Sequence, residues 1–176
     1  VPLRLNPGHG LDAAKAGGLP VTSVHGPAPL RSHGSIENRD LNLASTDEGE
    51  RSLAVGDHLA SIDLAAEAGA SVVVVHLGHI ALPGASRLDG EQRLRELYVQ
   101  SDHDPEAWRA ALEEAREARA PRASAWVEAA HASLRTLAER ASDSGVTLGI
   151  ETRLNYHEIP LPHEATELLA LYPRHV

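Results

Sequence analysis

Three side chains of the kind that bind metals and move protons stand at the ends of strand-like runs: His25, His76 and Glu151. Two imidazoles and a carboxylate make a donor set suited to a divalent cation such as zinc or manganese. The carboxylate also suits proton transfer to or from a reacting group. Each residue has an ordinary use as well: a strand-end histidine can serve packing or hydrogen bonding, and Glu151 can pair with an arginine. What weighs towards a site is the coincidence. The sequence separates the three widely, and only a fold that gathers strand ends brings them together.

The elements that must position them are legible in outline. Ser71-Val-Val-Val-Val-His76-Leu-Gly78 reads as a strand buried on both faces, halted at a histidine. Val21 to His25, closed by Gly26-Pro27, reads as an earlier strand, and Val146 to Ile150, running into Glu151, as a later one. Between the first two, Ser45-Thr-Asp-Glu48 has the spacing of a capping box. Val55, Leu59, Ile62 and Ala66 then recur as one apolar helical stripe, and Gly69 offers a left-handed C-cap. Strand, helix and strand with a short joint form a βαβ unit with a right-handed crossover, so the strand C-termini share one face.

Residues 28–44 read as a long loop of the sort that covers a site rim. Residues of about 80–120 read as a helical insertion over the same rim, a candidate for substrate selection or contact within a homo-oligomer. Within it, Glu91 to Gln100 is helix-compatible, and Asp104-Pro105-Glu106 caps a helix running to about Arg119. Pro121 is expected to start a further helix, with Trp126, Ala130, Leu134, Leu137 and Ala141 as its core stripe, and a last one spans about His163 to Leu171. His157 and Arg153, in the loop after Glu151, are candidates for touching substrate. His79 is expected to start a loop, and His58 and His131, inside helices, to be structural.

Residues 1–176 suit a single domain. A formal net charge of −9 argues against a broad phosphate-binding surface, so nucleic acid is not the expected partner. No cysteine means no disulfide, thiolate nucleophile or Cys-type zinc site, which fits a cytoplasmic setting. No apolar run reaches the ~20 residues that span a bilayer, so no membrane role is expected. With no methionine and a start at Val-Pro-Leu-Arg, the chain is expected to be a portion of a longer protein.

A set of phrases carries a family resemblance: Val-His25-Gly-Pro, Leu-Asn42-Leu-Ala-Ser, Ile-Asp-Leu-Ala-Ala-Glu-Ala-Gly-Ala, Val-Val-Val-Val-His76-Leu-Gly and Gly-Val-Thr-Leu-Gly-Ile-Glu151. In this order they resemble the xylose isomerase-like TIM-barrel superfamily, which includes sugar-phosphate isomerases and epimerases and the endonuclease IV type of abasic-site nuclease. The resemblance implies an α/β fold, a (β/α)8 barrel of which this chain supplies only part, since a whole one takes ~250 residues. It implies a divalent metal at the C-terminal mouth, with His25, His76 and Glu151 as ligands and further ligands on strands outside the chain. A fragment with open sheet edges is expected to need the rest of its barrel, or a partner chain, for stability.

The activity so implied is metal-dependent isomerisation or epimerisation of a small sugar or hydroxy-carbonyl compound. Glu151 would share in proton transfer through an enediolate. Two other readings stand beside it. One is phosphodiester hydrolysis at abasic DNA, which the two histidines favour. The other is a non-catalytic ligand-binding barrel with a degenerate metal site.

Overall fold

The computed structural model describes residues 11–13, 16–82, 84–100, 104–152 and 154–172. Three parallel strands organise it: β1 (Ser23–His25), the central β4 (Val72–Val75) and β6 (Thr147–Ile150). Between β1 and β4 come a short antiparallel hairpin, β2 (Ser32–His33) with β3 (Ile36–Glu37), a 3-10 turn at Asn38–Asp40, and helix α1 (Glu48–Ala68). Between β4 and β6 come β5 (Gly78–His79), α2 (Asp89–Val99) and α3 (Pro105–Ser144). After β6, β7 (Glu158–Ile159) returns to pair antiparallel with β5, and α4 (Pro162–Leu171) follows. Among the described residues no helix is long and apolar enough to cross a membrane.

The strand order follows the sequence, β1 to β4 to β6, and both pairings are parallel. This is the arrangement that repeated right-handed βα crossovers produce. On β4 the burial alternates. Val73 and Val75 are inaccessible and belong to the core, whereas Val72 and Val74 are half-buried. The expected burial of β4 on both faces is therefore not met in this chain. Core packing covers the Val73 and Val75 face, built from Ile62 and Ala65 of α1, Leu134, Leu137 and Ala141 of α3, and Leu148 of β6. The Val72 and Val74 face is the one a barrel would close upon.

Local chemistry sets the helix ends, with two departures from expectation. α1 is capped by Asp47, whose carboxylate accepts from Glu50 N at 2.8 Å. Ser45 does not cap; its hydroxyl donates to Glu50 at 2.6 Å and accepts from Asp47 N. The charged acceptor holds the cap two residues later than the hydroxyl pattern suggests. Gly69 does close the helix in the left-handed region. Asp104 caps α3 as expected, accepting from Glu106 N and Ala107 N with Pro105 in the first turn.

The second departure is Pro121, which lies inside α3 rather than starting a new helix. A proline there removes one hydrogen bond and costs about 3 kcal/mol in a helix interior. Pro121 is exposed, so the freed carbonyl can turn to water, while buried residues on both sides (Ala111, Ala115, Arg119; Ala130, Leu134) hold the two halves in line. The expected loop over residues 28–44 likewise contains the β2–β3 hairpin and the 3-10 turn, and His79 belongs to β5 rather than to a loop.

Candidate metal centre

The sheet register brings the three strand tips together. His25 pairs with Val74, and Val75 pairs with Ile150, so His76 and Glu151 leave adjacent strands side by side. The backbone ladder continues one step past the strands: Gly26 N donates to Val74 O at 2.9 Å, and Glu151 N to Val75 O at 3.0 Å. Because side chains alternate along a strand, His76 shares the face of Val74, away from the helices. Glu151 shares the corresponding face of Gly149.

His25 Nε2 lies 3.1 Å from His76 Nε2, and Glu151 Oε2 lies 3.6 Å from the first and 3.8 Å from the second. Among the described residues this is the group of histidine and carboxylate side chains able to hold a metal ion. The separations fit that use. Donors around an ion at ~2.0–2.2 Å lie ~3.3–3.6 Å apart in a tetrahedral shell, and the observed values straddle that range. The tautomer fits as well. His25 Nδ1 sits 3.2 Å from the Gly26 carbonyl, which can only accept, so Nδ1 carries the proton and Nε2 presents a lone pair. The 3.1 Å approach of the two rings is then satisfied by a proton on His76 Nε2 or by a cation shared between them. Glu151 and His25 are about half exposed at the side chain, so both remain open to a ligand.

A cavity of about 630 Å³ opens over these tips, lined in part by His25, His76, His79, Leu30, Arg39 and His58. The segment that brings Leu30 and Arg39 to its lining is tied to α1: buried Asp57 accepts from His33 Nε2 at 2.7 Å and from Arg31 Nε at 3.1 Å. The side wall of the cavity is fixed by Asn42, which is buried beneath β5. The Asn42 amide donates to His79 O at 2.8 Å, and its carbonyl accepts from His79 N and Ala44 N at 3.2 and 3.0 Å. Gly78 must be glycine for this contact. Its φ is +114°, and a β-carbon would fall 1.8 Å from Asn42 Oδ1.

His157 stands farther along the rim, paired with Glu91 at the start of α2. Its Nδ1 lies 2.8 Å from Glu91 Oε2, and its backbone N–H donates to Glu91 Oε1 at 2.5 Å. Glu91 also accepts from Leu88 N at 3.0 Å. Burial pushes the Glu91 carboxyl up, but these hydrogen bonds from His157 and Leu88 outweigh it and hold it below its ordinary value. The outer face of His157 meets His79 edge-on, with ring centroids 6.0 Å apart. Arg153 lies outside the described residues.

The sequence reading took His58 as structural; the structure places it buried on α1 and lining the cavity. The buried face of α1 is Ala54, Asp57, His58, Ser61, Ile62 and Ala65, rotated from the apolar stripe of Val55, Leu59, Ile62 and Ala66. Three of those six are polar, so a search for apolar periodicity chose the wrong phase. The signal that finds it is the i, i+3, i+4 spacing of Ala54, Asp57, His58, Ser61, Ile62 and Ala65 read without regard to polarity.

No protein-family model matches the sequence, and no curated protein matches it. Solved structures do. A D-tagatose 3-epimerase-like protein superposes with a TM-score of 0.54 at 22% identity, covering 93% of this chain and 45% of its own. A 3-keto-D-glucoside 4-epimerase from E. coli gives 0.57 at 18%, covering 97% and 51%. A D-allulose 3-epimerase from Methylomonas sp., in complex with D-allulose, gives 0.55 at 14%, covering 98% and 46%. The fold is a partial TIM barrel. The chain spans about half the length of these relatives in structure, and at such identities the likeness speaks for the fold.

Proposed function

We propose that this chain supplies part of the active site of a divalent-metal-dependent isomerase or epimerase acting on a small sugar or related hydroxy-carbonyl compound. The observation that carries the reading is the inward-facing cluster of His25, His76 and Glu151 at the C-terminal tips of adjacent parallel strands, where barrel enzymes build their sites. The solved chains it superposes on are named as sugar epimerases, which supports the substrate class.

His25 and His76 would hold zinc or manganese through Nε2, and Glu151 through a carboxylate oxygen. A bound ion would polarise the substrate carbonyl and its neighbouring hydroxyl, easing loss of the proton between them. Glu151, half exposed beside His25 and His76, would share in moving that proton, with a carboxylate from outside the chain serving the opposite face. The Nε2 of His157, whose Nδ1 is held by Glu91, is proposed for a substrate hydroxyl, and Arg153 is kept as a second candidate for substrate contact.

The test is solvent exchange. The intact protein loaded with Mn²⁺ should place deuterium from D2O on the carbon next to the carbonyl of D-fructose or D-allulose, seen by NMR, and Glu151→Gln should abolish this. An intact protein that takes up no divalent ion at stoichiometric level would be a non-catalytic barrel instead. The two imidazoles favour one rival, hydrolysis at abasic DNA. Incision of an abasic duplex, lost in Glu151→Gln, would put that rival in place of the isomerase.

A further inference from the structure

His58 is the buried side chain of the cavity that the metal centre does not use. It sits on α1, 3% exposed, and lines the same cavity as His25, His76 and His79. Its Nδ1 lies 2.8 Å from the Ala54 carbonyl one turn earlier. A carbonyl can only accept, so Nδ1 is the protonated nitrogen. Burial pushes the imidazole below its ordinary value; the Ala54 carbonyl and Asp57 oppose this, and His76 and His25 add to it. The ring is therefore neutral near pH 7, and Nε2 carries a lone pair.

The position of that lone pair is fixed by packing. The ring lies against the β1 tip, where a β-carbon on Gly26 would come within 2.8 Å of His58 Cδ2 and 3.2 Å of Nε2. Gly26 thus leaves the room in which Nε2 sits. Among the described residues no side chain or backbone group donates to Nε2, although Nδ1 is satisfied. An acceptor built into a cavity wall, with its tautomer locked and no donor from the protein, is open to a donor hydroxyl from a ligand that displaces water there.

We propose that His58 is a substrate-binding residue: its Nε2 accepts a hydrogen bond from one hydroxyl of a polyhydroxylated ligand seated over the strand tips. This deepens the isomerase reading and rests on it. His58 lies outside the cluster of His25, His76 and Glu151, so its contribution is to the organic ligand and not to the ion. It selects a hydroxyl at the ligand position facing α1 over hydrogen or a carbonyl there, because neither of those can donate.

The experiment is a binding cycle on the intact Mn²⁺-loaded protein, titrated calorimetrically with D-allulose and its monodeoxy forms. In the wild type, one deoxy form should bind about 10-fold more weakly than the parent sugar. In His58→Phe, the parent should weaken by a similar factor, the penalty for that deoxy form should vanish, and Mn²⁺ affinity should be unchanged. Equal D-allulose binding by wild type and His58→Phe, or a deoxy penalty that persists in full, overturns the assignment while leaving the isomerase reading in place. A Mn²⁺ affinity that falls with D-allulose binding in His58→Phe also overturns it, since the residue would then act through the ion. A wild-type protein that binds Mn²⁺ but no sugar overturns both. A second readout does not depend on the variant folding: in ¹⁵N-histidine-labelled wild type, the His58 Nε2 resonance should move on adding D-allulose. An unmoved resonance overturns the proposal.

Discussion

Two groupings of histidine and glutamate lie on this rim, and they are built in opposite ways. Glu151 faces His25 and His76 at 3.6 and 3.8 Å, half exposed, with the His25 lone pair turned inward. Glu91 meets His157 at 2.8 Å, is buried, and accepts from two backbone N–H groups as well. In the first the carboxylate stands too far from both rings for a good hydrogen bond, at distances about right for a shared ion. The second has its carboxylate capacity filled from within the protein. Residue type alone does not distinguish a binding site from a structural clasp; the unspent donors and acceptors do.

That contrast can be broken by exchanging outcomes. Glu151→Gln should lower isotope exchange on sugar by about 100-fold or more, while moving stability by no more than about 0.5 kcal/mol by chemical denaturation. Glu91→Ala should do the reverse. It leaves the His157 ring and the N–H groups of Leu88 and His157 without their acceptor. We expect a loss of about 2–3 kcal/mol in denaturation, with Mn²⁺ affinity by calorimetry changed little. If Glu91→Ala abolished metal uptake, the clasp and the centre would be one unit and the comparison would fail.

Smaller effects sharpen it. Asn42→Ala removes the amide that fixes both backbone groups of His79, and should cost about 1–3 kcal/mol. Amide exchange should quicken at the β5–β7 ribbon before it does at β4. Acid separates the cavity residue His58 from the Glu91 clasp by pH. The His58 imidazole is held below 6.5, so the unfolded chain takes up its proton first, and the His58 contribution to stability is lost as pH falls from 6.5 towards its folded value. Glu91 is held below 4.5, so its contribution survives to 4.5 and is lost as pH falls further. Thermal melts across this range should show two stages of loss, with Glu91→Gln removing the lower one.

The parts legible in the sequence are those decided locally or by simple periodicity. The run Val72–Val75, the Asp104-Pro105 cap, the Gly69 helix end and the three strand tips all follow from near neighbours. What was not legible depends on distant partners. The β5–β7 ribbon pairs residues on either side of the α2 and α3 segment, and Pro121 is tolerated only because packing braces the helix. The place of His58 on the cavity was not legible because its helix turns a partly polar face inward. The half-buried inner face of β4 was misjudged since the sequence reads as a barrel strand while this chain covers one side of it.

The unbroken run of α3 has a consequence for how such a protein can change. Forty residues make a rod of about 60 Å, far longer than a four-residue strand requires. Arg119, clasped bidentately by Glu164 in the first turn of α4, marks where the rod passes the level at which α4 begins. The turns of α3 before it bring Trp108 to a groove of about 560 Å³, which Tyr98 of α2 and Leu154 after β6 also line. The Trp108 side of the groove is thus set by helix length and the His25, His76 and Glu151 cluster by strand ends, so turns of α3 before Arg119 could be added or removed without moving the strand tips.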